Sequence, residues 1–131
     1  MISAMIVACS LIGAADGSQL IEVERQVIER TNAERSRRGL SPLRLCPRLQ
    51  EQARDHAAWM SRNRKMQHGR HPGAAENVAT GQKNPSAVLN SWMNSPGHRS
   101  NILRSTYKRI GAAAYKTPGT NRVYWCQQFG R

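Results

Sequence analysis

The sequence predicts an α+β domain: helices come first and a hairpin closes the chain. Two stretches in the first half repeat apolar residues at helical spacing, Leu20, Val23, Val27, Ile28 and Thr31 in one, and Leu49, Ala53, Ala57 and Met60 in the other. The C-terminal segment changes period. There Val123, Trp125, Gln127 and Phe129 alternate with Tyr124, Cys126 and Gln128, so that Trp125 and Phe129 share one face of a strand. Finally, 131 residues suffice for one hydrophobic core and leave little for a second.

The first 16 residues read as a secretory signal. An uncharged run from Ile2 to Ala15 ends in Ala14-Ala15 before Asp16-Gly17. At about fourteen residues it is too short for a membrane span, which needs roughly 20. Two alternatives stand beside this: Ile6-Val7-Ala8-Cys9 as a lipobox with Cys9 lipidated, and a buried N-terminal strand. The folded domain is then 17–131.

The first helix is expected from about Ser18, its N-cap, to Arg38. Glu22 and Glu24 near its start and Arg35, Arg37 and Arg38 near its end suit the helix dipole, and Gly39 supplies a stop. Residues 39–43 turn the chain. Pro47 opens a second helix reaching about Asn63, with His56 beside its apolar stripe. From Arg62 to Gln82 no periodicity holds, and Gly69, Pro72, Gly73 and Gly81 mark a long loop of the kind that is usually functional or mobile. Asn84 and Pro85 start a third helix with Val88, Leu89, Trp92 and Met93 on one side; Ser95 caps a fourth that begins at Pro96 and carries His98, Ile102 and Leu103. Strands 109–116 and 122–130 form the hairpin, where Ala112, Ala113 and Ala114 leave room for helix side chains.

Charge singles out one residue. Glu76 is the only acid from His56 to Arg131, a stretch with twelve Lys and Arg, and it lies in sequence between His68 and His98. A lone carboxylate framed by two imidazoles is the chain's candidate for chemistry. The net charge of +12 suits an anionic partner such as lipid, an acidic cell-envelope polymer or nucleic acid. No recognition helix, zinc-finger spacing or aromatic-interleaved strand marks a nucleic-acid reader, so a solvated basic face ranks ahead of specific nucleic-acid binding. Once Cys9 is removed or consumed by export, Cys46 and Cys126 form an even pair, which suggests a disulfide in an oxidising compartment; two buried free thiols are the alternative.

In order and spacing, the segments Asn32-Ala33-Glu34-Arg35, Gly39-Leu40-Ser41-Pro42-Leu43, the Ala57/Met60 helix, His68, Glu76-Asn77, the run 92–103 beginning Trp92-Met93-Asn94-Ser95-Pro96-Gly97-His98, Ile110-Gly111 and Gln128-Phe129 resemble the CAP superfamily in its short bacterial form. This is the superfamily of cysteine-rich secretory, antigen 5 and pathogenesis-related proteins. The resemblance covers about Leu20 to Phe129. It implies a three-layer α/β/α sandwich with a small antiparallel sheet, and an exported protein that is extracellular, periplasmic or envelope-associated. It also implies a cleft where two His and two Glu bind a divalent cation. His68, Glu76 and His98 are the retained members, whereas the second Glu has no counterpart and Ser95 stands three residues after Trp92. Ala75 replaces the family's glycine, and of the family's disulfides only Cys46–Cys126 can remain.

Imidazole and carboxylate ligands suit Zn²⁺. The spacing is not HExxH, and no second carboxylate is present to act as a base. Without a metal, Glu76 would pin the loop by accepting backbone and imidazole hydrogen bonds; His68 would face water, His98 would bond the same carboxylate, and His71 is the substitute ligand. Ser95 and His98, three apart, suggest a nucleophile and base, but an N-cap role explains Ser95 more simply. Asn77 is expected to bond backbone in a turn, and Trp92 and Trp125 to be core. The first functional reading is an exported, non-enzymatic binding module whose His/Glu cleft, with Ser95 and Asn77 at its border, holds a divalent metal such as Zn. Its partner would be a small molecule, a lipid or an anionic envelope polymer. The alternatives are a metal-dependent hydrolase at the same cleft and a basic polyanion or nucleic-acid binder.

Overall fold

A computed structural model describes residues 20–131. Its elements are α1 (Glu22–Ser36), β1 (Arg44–Leu45), α2 (Pro47–Asn63), β2 (Ala75–Thr80), α3 (Pro85–Met93), α4 (Pro96–Leu103), β3 (Arg109–Lys116) and β4 (Val123–Gly130). The proposed signal segment, Cys9 and Ser18 lie outside the described residues. Helix α1 starts later than its apolar spacing suggests, with Ile21 as N-cap. The reason is Glu24, whose carboxylate accepts the Ile21 N–H at 3.2 Å and is itself held by Arg54 at 2.7 and 2.8 Å. Gly39, at φ 71°, ends the helix region as expected.

The sheet has the order β1-β3-β4-β2. Pairing is antiparallel for β3–β4 and β4–β2, but the two-residue β1 runs parallel to β3, so the sheet is mixed rather than wholly antiparallel. Two of its strands were not expected from the sequence: β1 lies just after the turn segment and β2 within the expected loop. Beyond β1 the Gln50 side chain takes over the pairing of β3, bonding both Ala112 N–H (2.9 Å) and Ala112 C=O (2.8 Å).

Helices cover both faces. Val27 and Ile28 of α1, Val88, Leu89 and Trp92 of α3 and Ile102 of α4 pack with Ile110, Ala112, Trp125 and Phe129 on one side. Ala53, Ala57 and Met60 of α2 pack with Val78, Ala113, Tyr124 and Cys126 on the other. This is the three-layer sandwich. Gly111 sets the second contact: a Cβ there would lie 2.3 Å from the backbone of Leu49 and Gln50, so only glycine lets α2 approach β3 this closely. Arg35 of the Asn-Ala-Glu-Arg segment is fully buried, its guanidinium donating to the carbonyls of Ser41, Ile102 and Arg104 at 2.8–3.0 Å. Asn32 clamps Leu43 through both its C=O and N–H. Together they tie the end of α4 and the 39–43 turn to α1.

The Cys46–Cys126 bridge does not form, because Cys126 is a free, buried thiol. Cys46 follows β1 and Cys126 sits on β4, with β3 between them. Two strand spacings are roughly 9–10 Å, beyond the roughly 7 Å Cα separation a disulfide can span.

Candidate functional site

Strand β2 lies at the sheet edge and sends neighbouring side chains to opposite faces, Glu76 toward α2 and Asn77 toward α4. Its outer carbonyls are covered, that of Val78 by Trp92 Nε1 (3.2 Å) and that of Glu76 by Asn101 Nδ2 (3.3 Å). The edge is therefore closed to a further strand there, and what remains open is the corner where the 64–74 loop meets α4.

At that corner the Glu76 side chain is only 8% exposed, and both its oxygens are engaged. Oε1 meets His68 Nδ1 at 2.9 Å and accepts the Gly69 N–H at 2.8 Å. Oε2 accepts from Gln128 Nε2 at 2.9 Å and from the Cys126 thiol at 3.6 Å. Burial pushes the Glu76 pKa up, but the bonds from Gly69, Gln128 and His68 outweigh it and hold the carboxyl below its ordinary 4.5. Burial, together with the neighbouring carboxylate, pushes the Cys126 thiol well up, so it stays protonated and donates.

The loop is shaped from α2. His56, buried on that helix, bonds the Gln67 carbonyl through Nε2 at 2.6 Å, and Gly69 is wedged where a Cβ would come within 2.9–3.1 Å of the His71 and His56 rings. His71 packs edge-on against His56. His68 is left at the loop surface with 64% of its side chain exposed.

His98 enters from the first turn of α4. It does not bond Glu76; its Nδ1 meets Ser95 Oγ at 2.9 Å. Ser95 occupies the N-cap position, but its hydroxyl serves His98 rather than capping a backbone N–H. Burial, then the nearby His68, lower the His98 pKa and favour the neutral ring. Asn77 bonds no turn. It donates to the His98 carbonyl (3.1 Å) and Gln127 Oε1 (2.9 Å) and accepts from Asn101 Nδ2 (2.9 Å), fixing α4 against the sheet.

Among the described residues no three His, Cys, Asp or Glu side chains gather as a metal shell. Glu76 has spent both oxygens and stands behind His68 as an orienting carboxylate, the relation found between metal-bound imidazoles and their supports. Nε2 of His68 and of His98 remain for a ligand. Sequence reasoning missed Gln128, Cys126, Gly69 and Asn101 as partners in this network. One signal was present: Gln127-Gln128 is a polar pair inside a strand whose neighbours are apolar, and both are fully buried.

The sequence profile described as the cysteine-rich secretory protein family, CAP, matches residues 28–129. The uncharacterized protein YkwD of Bacillus subtilis (strain 168) is 35% identical over 128 residues, 86% of this chain. This chain spans 48% of that relative's length. The crystal structure of an extracellular protein containing an SCP domain from Bacillus anthracis superposes with TM-score 0.72 at 26% identity, over 82% of this chain and 40% of that one. An outer surface protein from Borrelia burgdorferi superposes with TM-score 0.74 at 21% identity, over 85% of this chain and 96% of its own. No described helix is long and apolar enough to cross a membrane.

Proposed function

The chain belongs to the cysteine-rich secretory protein (CAP) family, and from its corner site we propose that it is an exported, non-enzymatic binding module that takes a divalent cation between His68 and His98. One observation carries the reading: each imidazole is anchored through Nδ1, His68 on Glu76 and His98 on Ser95, so each offers Nε2. Two oriented imidazoles with open remaining positions suit Zn²⁺, which would be completed by water or by a group of the partner. Such an ion would supply Lewis acidity to a bound oxygen donor, and the chain's own part is to hold the two rings. The extracellular and outer-surface settings named for the two related structures support export.

A binding role is favoured over hydrolysis by the state of Glu76. A general base needs a free carboxylate within reach of water, and here Glu76 has both oxygens committed to four partners. Ser95 and His98 do form a hydrogen-bonded pair, but among the described residues no third group bonds the His98 ring to orient it as a catalytic base.

Calorimetric titration of the full chain with Zn²⁺ at about pH 7.5, where imidazoles are mostly neutral, tests this. One-to-one binding lost in both His68→Ala and His98→Ala is the expected result. A folded wild-type protein that takes up no stoichiometric zinc would overturn it.

A further inference from the structure

The cations of this chain fall into two populations. Among the first 54 residues several are paired with carboxylates: Arg25 with Glu22, Arg37 and Arg38 with Glu34, and Arg54 with Glu24. At the far end of α2, where the β3–β4 turn comes against it, Arg62, Arg64, Lys65, Lys116 and Arg122 have no carboxylate partner among the described residues, because the segment they belong to has only Glu76. Arg64 and Arg122 line one open hollow of about 340 Å³ there, with Thr117, Thr120 and Tyr124 as its other walls.

Three details distinguish this hollow from a merely basic surface. Arg64 is the only described non-glycine residue at positive φ (51°, ψ 44°), a left-handed C-cap position where glycine is the favoured residue. An arginine held in an unfavourable conformation next to a hollow is an outlier that points to a use. The pull of the α2 C-terminus on cations accounts for Arg62, Arg64 and Lys65. It does not account for Arg122, which comes from another element. The two arginines are also carried on parts pinned to each other. Thr117 Oγ1 donates to the Ser61 carbonyl of α2 (3.0 Å), Thr120 Oγ1 donates to the Thr117 carbonyl (2.8 Å) and accepts the Arg122 N–H (3.2 Å), and Arg122 Nη1 leans on Thr80 Oγ1 (3.4 Å).

We propose that this hollow is a binding site for a phosphate group, held between the Arg64 and Arg122 guanidiniums. Planar guanidinium forks match phosphate oxygens two at a time, and a bound anion would relieve the repulsion between two unpaired cations lining one hollow. The phosphate can be presented by a soluble phosphate ester or by a lipid headgroup. The site is independent of the His68–His98 corner and stands or falls separately from it.

The test uses the full chain at fixed ionic strength in two arms: NMR titration with glycerol phosphate, and co-sedimentation with phosphatidylglycerol vesicles against phosphatidylcholine vesicles. Arg64→Gly and Arg122→Ala should each weaken binding by about tenfold or more, while Arg48→Ala, which removes one exposed charge from the start of α2, should leave it within about twofold. Arg64→Gly should also raise the Tm, since glycine relieves the left-handed backbone, so weaker binding in that variant is not a folding defect. Binding in the soluble arm with this pattern identifies a phosphate-ester site. Binding only to phosphatidylglycerol vesicles with the same pattern identifies a headgroup site. No binding in either arm, or equal loss in Arg48→Ala, overturns the proposal.

Discussion

Glu76 and Asn77 are neighbours on one strand, yet the networks they anchor on opposite faces of the sheet are unlike in kind. The Asn77 network is neutral and closed. It runs from Asn101 through Asn77 and Gln127 to Thr31 of α1, with Asn77 and Gln127 fully buried, and its hydrogen bonds hold α1 and α4 to the sheet. The Glu76 network is charged and open. It begins at Gln128 and Cys126 inside the protein and ends at His68, whose ring stands in solvent. The first ties α1 and α4 to the sheet and holds the His98 carbonyl; the second ends on an imidazole that solvent can reach.

Gly111→Ala should separate the two faces most severely. A Cβ 2.3 Å from the Leu49–Gln50 backbone forces α2 off β3 and so dismantles the Glu76 side while leaving the α1 face its own packing. The expected loss is about 4 kcal/mol or more, read by urea denaturation. Near wild-type stability in this variant would mean that α2 does not approach the sheet this closely.

Next in size is Asn77→Ala. Removing this side chain leaves the His98 carbonyl, Gln127 Oε1 and Asn101 Nδ2 short of a partner in or near the core. About 2–3 kcal/mol should be lost, with little dependence on pH because none of the groups titrates. A pronounced pH dependence of that loss would show that the two networks are coupled.

Glu76→Gln should cost less, about 1.5–2 kcal/mol, and only at the right pH. The folded carboxyl is held below 4.5, so the ionised form is what the fold favours. Its contribution is complete above the ordinary carboxylate value and disappears as pH falls through the lowered folded value. The stability curves of wild type and variant should therefore be separated at neutral pH and converge below about pH 4. Parallel curves down to acid would show that the carboxylate carries no such preference.

What the sequence disclosed of all this depended on how strongly each segment's own pattern specified it. The α2 stripe and the alternation of β4 are long and periodic, and both elements appear where their residues place them. Strand β2 was hidden because Ala75, Glu76, Asn77 and Ala79 are weak strand formers and both its faces are covered, each presenting polar and apolar side chains together, so no alternation between core and solvent marks it. Its order comes from pairing with β4, a non-local effect that no local window contains. The sequence grouped His68, Glu76 and His98 by charge and order, whereas side-chain geometry pairs only two of them: Glu76 supports His68, and His98 turns to Ser95 instead. The disulfide expectation rested on counting, and counting does not reveal that a strand lies between the two cysteines.

The smallest stability effect is also the most informative. His68→Ala removes a ring that is 64% exposed and contributes one of the four contacts to Glu76, while Gly69, Gln128 and Cys126 continue to hold the carboxylate. The change in unfolding free energy should stay within about 0.5 kcal/mol. If the open end of the network is where the protein acts, the same substitution should abolish zinc uptake. A residue that matters little to the fold and decisively to binding is the signature of a side chain oriented by the core for use outside it. A loss of stability comparable to that of Glu76→Gln would instead make His68 part of the scaffold and reduce the contrast between the two faces of β2 to one of charge alone.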